Sequence, residues 1–309
     1  MSLAPQLAVV YEHPEWFKPL FATLERRRVP YLPIRIDEHR YALDQVPPAP
    51  VIFSRLAMSS FLRQQEHPIF YAQGLYAHWE LAGARVINGT PSLALDASKA
   101  RQLSLIRSLG LAVPATEVVH RREDILPAAD ALGYPAIVKV NIGGSGAGVS
   151  RYDSRAQLEQ ALATGSVPVG IDGVWLVQDC VPARDRKMVR VEVLNGKFLY
   201  AIALNTDGGT FDLCPADVCM IDKPTVTIEQ AKPDAAIVRA AEAIARAGRF
   251  DICGIEYMID ERDGTPRFYD INGLSNFVAD PLNVLGWDPH EQLVDYLLEV
   301  LAQAREQAA

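Results

Sequence analysis

Glu256 and Asp270 stand in two runs that read as β-strands, 251–260 and 268–276, with apolar and β-branched residues around each acid. A carboxylate among strand hydrophobes is expensive to bury unless a cation compensates it. The connection at 261–266 carries Asp263-Gly264 and Pro266, which reads as a hairpin and makes the two strands neighbours. Asn272 follows Asp270 by two residues, and residues so spaced on a strand face the same way. Magnesium takes oxygen ligands, usually one or two carboxylates with substrate phosphates and water. Glu256, Asp270 and Asn272 therefore read as metal ligands. The competing reading is a pair of salt-bridged acids at strand ends, since ion-pair networks imitate sites.

The basic residues with special surroundings point to an anion. Lys99 falls in the first turn of a helix expected over 96–109, where the dipole favours negative charge. A solvated surface lysine is the plainer alternative. Lys139 lies on a strand expected over 134–140, and Gly143, Gly144, Ser145, Gly146, Ala147 and Gly148 follow it. Glycines let backbone amides approach phosphate oxygens, and a lysine on the preceding strand reaches the same phosphates. A P-loop is excluded because Val149 and Ser150 follow Gly148, and Gly144-x-Gly146 lacks the third glycine of a dinucleotide fingerprint. Arg190 sits among valines in a strand over 188–193, and Glu192 shares its face. Its charge cannot be shed, so it needs a carboxylate or a phosphate.

The elements that must position these side chains are legible in the hydrophobic pattern. Strands at 7–10, 31–36, 51–53 and 85–88 alternate with helices at 15–28 and 69–81, which predicts a small parallel α/β unit ending near Asn88-Gly89-Thr90-Pro91. Further on, a helix opens at Ser154 with Gln157 as a capping box, and strands at 188–193 and 197–204 form a hairpin around Asn195-Gly196. A helix begins at Pro233 and closes at Gly248. The last helix has Asp288 as N-cap, Pro289 at its first position and Glu291 completing a capping box.

The 309 residues, 49% hydrophobic and 22% charged, allow two or three packed units. A net charge of −8 argues against nucleic acid or an anionic membrane as partner. Cys180, Cys214, Cys219 and Cys253 form no CxxC pair and the histidines are scattered, so no zinc site or disulfide framework is expected. No stretch approaches the roughly 20 apolar residues of a membrane span, and no leader pattern opens the chain, which fits a reducing cytoplasm.

In order and spacing, these residues resemble the ATP-grasp superfamily. The resemblance covers about residue 90 onward, and is nearest to RimK-type and D-alanine-D-alanine ligase-like carboxylate-amine ligases. It rests on Asp96-Ala97-Ser98-Lys99, Gly110 to Pro114, Pro135 to Lys139 with the glycine run, Val177-Gln178-Asp179 and Asp270-Ile271-Asn272. It implies an α/β protein with an amino-terminal parallel α/β pre-ATP-grasp domain (1–89), followed by a two-subdomain ATP-grasp fold of α+β character (90–178, with its lid at about 133–178, and 179–309). By the resemblance, Lys99, Lys139 and the loop of Gly143, Gly144, Ser145, Gly146 and Gly148 hold ATP phosphates. Gln178, Asp179 and Val181 line the adenine, with an acid near them for the ribose, and Arg190 braces the transferring phosphoryl group. Glu256, Asp270 and Asn272 hold two Mg2+ ions, for which Mn2+ substitutes.

The implied reaction joins an amino acid, peptide or small carboxylic acid to an amine through an acylphosphate, in a homodimer or homotetramer. A kinase acting on a small-molecule hydroxyl and a non-catalytic nucleotide-binding module are the alternatives. Met188 stands where the family often has an acid, for which Asp185 is the nearest replacement. The family's later Arg and Asn fall near Leu204, Asn205 and Cys214. Arg55, Ser275 and Asn276 are the expected substrate contacts, and Cys214 with Cys219 either lines a substrate pocket or is a pair of buried thiols.

Overall fold

The computed structural model describes residues 6–63, 68–144, 146, 148–206, 226–273 and 275–308. Ser145, Cys214 and Cys219 lie outside them. The first unit comprises β1 (Leu7–Tyr11), α1 (Pro14–Arg26), β2 (Leu32–Arg35), β3 (Val51–Arg55), α2 (Pro68–Leu81), β4 (Arg85–Ile87) and α3 (Thr90–Asp96). Its strands form the expected parallel sheet, in the order β2-β1-β3-β4. The central strands are apolar on both faces, as a sheet covered on both sides requires. Leu7, Val9, Val51 and Phe53 face α1 and the last helix, while Ala8, Val10 and Ile52 face α2.

Next come α4 (Lys99–Ser108), β5 (Thr116–Val119), α5 (Ile125–Leu132), β6 (Ala136–Val140), β7 (Val149–Tyr152), α6 (Arg155–Thr164) and β8 (Trp175–Asp179). Their strands form an antiparallel sheet ordered β5-β8-β6-β7. The remainder is β9 (Ala183–Leu194), β10 (Lys197–Thr206), β11 (Val226–Ala231), α7 (Ala235–Ala247), β12 (Ile252–Asp260), β13 (Pro266–Asn272), α8 (Pro281–Leu285) and α9 (Pro289–Ala308). Here the sheet is antiparallel, ordered β11-β10-β9-β12-β13, with Asn195 (φ 51°) and Gly196 (φ 67°) supplying the left-handed pair that a tight β9–β10 turn needs. Among the described residues no helix is long and apolar enough to cross a membrane.

Local chemistry departs from the sequence reading at four helix ends. The helix expected over 96–109 starts only at Lys99, and Asp96 ends α3 instead, because Ser98 is extended and caps α4, accepting from Arg101 N at 3.4 Å. Ser154 Oγ caps α6 by accepting from Gln157 N, but Gln157 Oε1 accepts from Asp153 N at 2.7 Å, one residue before the cap. After α7 the left-handed residue is Arg249 (φ 55°), with Gly248 at φ −79°. Glu291 makes no capping box: it pairs with Arg26 and Arg27 of α1, while Asp288 accepts from His290 N at 2.9 Å.

Candidate functional site

The pairing of β9, β12 and β13 sets charged residues in rows. Glu256 is the register partner of Arg190 on one side and of Asp270 on the other. In the next row Gly254 lies between Glu192 and Asn272. Strict alternation would put Phe268 on the same face as Asp270. The register shifts between Glu256 and Tyr257, so that Tyr269 is an extra residue on β13. This bulge leaves Asp270 among the charges while Phe268 packs with Val189, Val191 and Tyr257 in the core beneath.

Buried amides fix the row against its neighbours. From the end of β4, Asn88 Nδ2 donates to Ile252 O (2.7 Å) and Gly273 O (2.6 Å), and its Oδ1 accepts from Asp251 N and Ile252 N (2.8 and 3.2 Å). Gln102 of α4 meets the free edge of β13, donating to Ile271 O at 2.9 Å and accepting from Ile271 N at 3.0 Å. One turn earlier on the same helix, Lys99 is thereby set beside Asp270, and its Nζ donates to Asp270 Oδ1.

Arg190 and Glu192 are buried, and Arg190 Nε donates to Glu192 Oε1 at 2.7 Å. Arg190 Nη1 lies 3.5 Å from Glu256 Oε1, which also accepts from Asn272 Nδ2 at 3.0 Å. Burial opposes the charge on Arg190, but Glu192 and Glu256 outweigh it and hold its pKa above the usual guanidinium value. Burial, and then the charge on Asp270, raise the pKa of Glu256 above the ordinary carboxylate range. Lys139 is pushed down to about 7, first by burial and then by Lys99. Asp96 is pushed up to about 7 by desolvation, although its Oδ1 accepts from Gly273 N at 3.0 Å.

These groups surround a cavity of about 980 Å3. Lys99, Lys139, Gly143, Gly144, Gly146, Gln178, Asp179, Val181, Arg190, Glu256, Asp270, Asn272 and Asn276 all line it. Gly148, at φ 75°, shapes the loop without lining the cavity, since a Cβ there would meet Val140 at 2.6 Å. Asp185 is exposed and turned away, whereas its neighbour Arg186 lines the wall; both have left-handed backbones (φ 57° and 53°). Ser275 is buried and accepts from Phe277 N at 3.1 Å, and Arg55 is buried behind Asn276. Gln178 spends its amide on Thr116 Oγ1 (2.7 Å), and Asp179 pairs with Arg262 (2.6 Å). Trp16, Ala57, Met58 and Ser59 of the first unit, together with Gln102, Tyr269 and Glu261, join the wall without any signal in the sequence that singles them out. Glu261 lies beside the Gln178–Val181 edge but reads in sequence as an ordinary turn residue.

The donor set fits a divalent cation. Glu256 and Asp270 are adjacent, mutually repelling carboxylates, and the amide of Asn272 is on the same face. Among the described residues no three His, Cys, Asp or Glu cluster tightly enough to hold an ion by themselves. An ion held here must complete its shell with water and ligand oxygens, the mode magnesium prefers.

Residues 98–275 match the family described as the carbamoyl-phosphate synthase L chain, ATP binding domain. Among relatives, a probable alpha-L-glutamate ligase 2 of Shewanella frigidimarina is 26% identical over 143 residues, 46% of this chain and 47% of its own length. A ribosomal protein bS6--L-glutamate ligase of Escherichia fergusonii is 24% identical over 143 residues, again 46% of this chain and 47% of its own. The chain thus spans about half the length of the relatives it matches. In fold it is similar to D-alanine--D-alanine ligase from Bacillus anthracis complexed with ATP (TM-score 0.70, 16% identity, 100% of each chain). It is similar also to the ATP-grasp ligase PsnB complexed with minimal precursor, Mg and ADP (TM-score 0.69, 16% identity, 97% of this chain and 99% of that one).

Proposed function

The chain belongs to the ATP-grasp family of the carbamoyl-phosphate synthase L chain ATP-binding domain, and from that membership we propose that it is an ATP-dependent ligase joining a carboxylate to an amine. The observation that carries the reading is the row Arg190–Glu256–Asp270 across three paired strands, faced by Lys99 and Lys139. Phosphoryl transfer needs positioning and charge neutralisation more than covalent help from the protein.

Lys99 and Lys139 hold the phosphates, and the loop of Gly143, Gly144, Gly146 and Gly148 closes over them. Gln178, Asp179 and Val181 form the edge against the base, with Glu261, an acid that the sequence did not single out, on the same wall and bonded through its N–H to Pro182 O at 2.9 Å. Glu256, Asp270 and Asn272 would hold two Mg2+ ions, or Mn2+ in their place. Bound there, the ions neutralise charge on the phosphate oxygens. Lys99 must exchange Asp270 for phosphate as the nucleotide enters. Lys139, its pKa drawn down to about 7 by burial, binds its proton more firmly as the phosphates arrive. Arg190 stays charged throughout and steadies the transferred group.

The substrates are an amino acid, peptide or small carboxylic acid and an amine, and the assembly is a homodimer or homotetramer. A carboxylate oxygen attacks the γ-phosphorus and ADP leaves. The amine then attacks the acyl carbon, loses a proton, and expels phosphate that carries the former carboxylate oxygen. With ATP and Mg2+, acids labelled with 18O should release ADP and pass one label into phosphate. ADP release with the label retained in the acid, or a phosphorylated hydroxyl product, would overturn this reading in favour of a kinase.

A further inference from the structure

Arg55 closes β3 and is among the largest side chains wholly enclosed in the protein. Its Nη2 donates to Asn276 Oδ1, whereas Nε and Nη1 are buried with no acceptor among the described residues. The rings of Phe17 and Phe277 lie 5.3 and 6.0 Å from its Cζ. Glu192 is the acid that most favours its charge, but Glu192 Oε1 is taken by Arg190 and its Oε2 is itself buried and unpartnered among the described residues. Burial pushes Arg55 down to about 9, which still leaves it charged at neutral pH. Among the described residues, the polar group this cation grips directly is therefore the Asn276 amide.

That grip decides what Asn276 shows to the cavity. Arginine has donors only, so the atom it holds must be the amide oxygen, and the usual ambiguity of an asparagine flip does not arise. Asn276 Nδ2, which has no acceptor among the described residues, is left as a donor on the cavity wall. Trp16, Ala57 and Met58 line the same cavity, with Ser59 next in sequence, and Trp16 and Ala57 belong to the core cluster of Phe17 and Phe277, the rings that flank Arg55. Glu12, the nearby acid that could have taken an ammonium group, is buried and held at two points by Arg63, at 2.8 and 2.8 Å, with Arg63 stacked 4.8 Å from the Trp16 ring. The wall offers a fixed donor beside an apolar surface whose nearby acid is already neutralised.

We infer that this wall seats the acid substrate, with Asn276 Nδ2 donating to its carboxylate or carbonyl oxygen, its apolar body lying on Trp16, Ala57 and Met58, and Arg55 acting as the positioning residue that fixes Asn276. The inference rests on the ligase reading and adds the class of acid: one with an apolar body and no obligatory ammonium group. Ser275 and Arg55 do not touch substrate; Arg55 acts through Asn276.

The test uses ATP, Mg2+ and hydroxylamine as the amine, with acetate, butyrate, 3-phenylpropionate, N-acetyl-L-alanine and L-alanine as acids, following ADP and hydroxamate. Asn276→Asp keeps an oxygen on Arg55 but turns a charged acceptor toward the cavity, so the KM of the best acid should rise tenfold or more with the KM of ATP within twofold. Arg55→Met should raise the acid KM severalfold, Arg55→Lys should restore part of it, and Arg55→Met with Asn276→Asp should be no worse than Asn276→Asp alone. An acid KM that Asn276→Asp leaves within twofold, or an ATP KM that rises in step with it, overturns the inference while leaving the ligase reading in place. A wild-type protein that binds ATP yet releases ADP with none of the acids overturns the ligase reading and the inference together.

Discussion

Replacing Gly254 by alanine should move Arg190 while sparing the backbone that carries it. Gly254 lies in β12 between Glu192 and Asn272, and its φ is outside the left-handed range, so an L-residue fits the strand. The added Cβ would come within 2.3 Å of Arg190 Nε, 2.5 Å of Nη2 and 2.6 Å of Cζ. Comfortable contact between such atoms is about 3.5–4.0 Å, so the guanidinium must shift by roughly 1 Å. It cannot do so and keep both the 2.7 Å bond to Glu192 and its approach to Glu256. A displacement of about 1 Å at a group that positions a reaction costs on the order of a hundredfold, or about 2.7 kcal/mol of barrier. The strand itself gains roughly 0.5–1 kcal/mol from losing a glycine, which offsets part of the strain in the ion pair, so global stability should change little. We expect kcat for acid-dependent ADP release to fall about a hundredfold, with the ATP KM and the urea midpoint near wild type. Gly254→Ala should also cost less in an Arg190→Lys background, where the planar group that fills the space is gone. A folded Gly254→Ala protein with kcat close to wild type would refute the claim that this glycine exists to house Arg190.

Asp270→Asn removes the charge that Lys99 holds and that the proposed cation would share, and should lower kcat by roughly a hundredfold or more while leaving measurable ATP binding, read by ADP release and calorimetry. Lys139→Met should weaken ATP binding at least tenfold, by the loss of about 1.4 kcal/mol or more of charge-assisted contact, yet stabilise the nucleotide-free protein. The sign follows from linkage: the folded pKa of Lys139 is about 7 against 10.5 for an ordinary solvated lysine, so between those values the unfolded chain holds the extra proton and wild-type stability rises with pH. The advantage of Lys139→Met should therefore be largest below pH 7, on the order of a few kcal/mol, and fade toward pH 10 in urea titrations. Gln102→Leu leaves the buried N–H and C=O of Ile271 without partners, which should cost about 1–3 kcal/mol for each unpaired group, and should raise the ATP KM by letting α4, and Lys99 with it, shift from its place on the cavity wall.

What is legible in the sequence is what depends on residue type and short spacing. The Asp263-Gly264 turn makes Glu256 and Asp270 neighbours, and the structure pairs them directly. Alternation puts Glu192 beside Arg190, and the 2.7 Å bond is there. What escapes depends on contacts distant in sequence. The bulge at Tyr269 is visible only once β12 and β13 are in register, because nothing in the run 266–272 distinguishes a paired residue from an extra one. Gly254 reads as a weak point in a strand until the Arg190 side chain is laid across it. Gln102 reads as a helix-surface residue until the unpaired edge of β13 arrives beside it. Charge alone singles out Asp185, but successive left-handed residues at 185 and 186 point Arg186 inward instead.

The charges of the site also explain why it can be stable before any ligand arrives. Arg190 is matched by Glu192 and Glu256, and Lys99 by Asp270. Lys139 has no comparable partner among the described residues, and its lowered pKa marks a burial cost that stands until an anion meets it. A buried charge left unmatched would cost several kcal/mol, so this self-pairing is what permits acids and bases to line one deep cavity. It also sets the terms of binding. A fully ionised triphosphate brought in with two divalent cations adds no net charge, so each pair can exchange its partner for a ligand atom without leaving a carboxylate or an ammonium bare. A triphosphate without them would face Glu256 and Asp270 directly and would have to separate Lys99 from Asp270 with nothing to replace it. ATP affinity should therefore fall at least tenfold when magnesium is chelated, by about 1.4 kcal/mol or more, and Asp270→Asn should shrink that dependence. An ATP affinity indifferent to magnesium in the wild type would mean that the carboxylate row has another purpose.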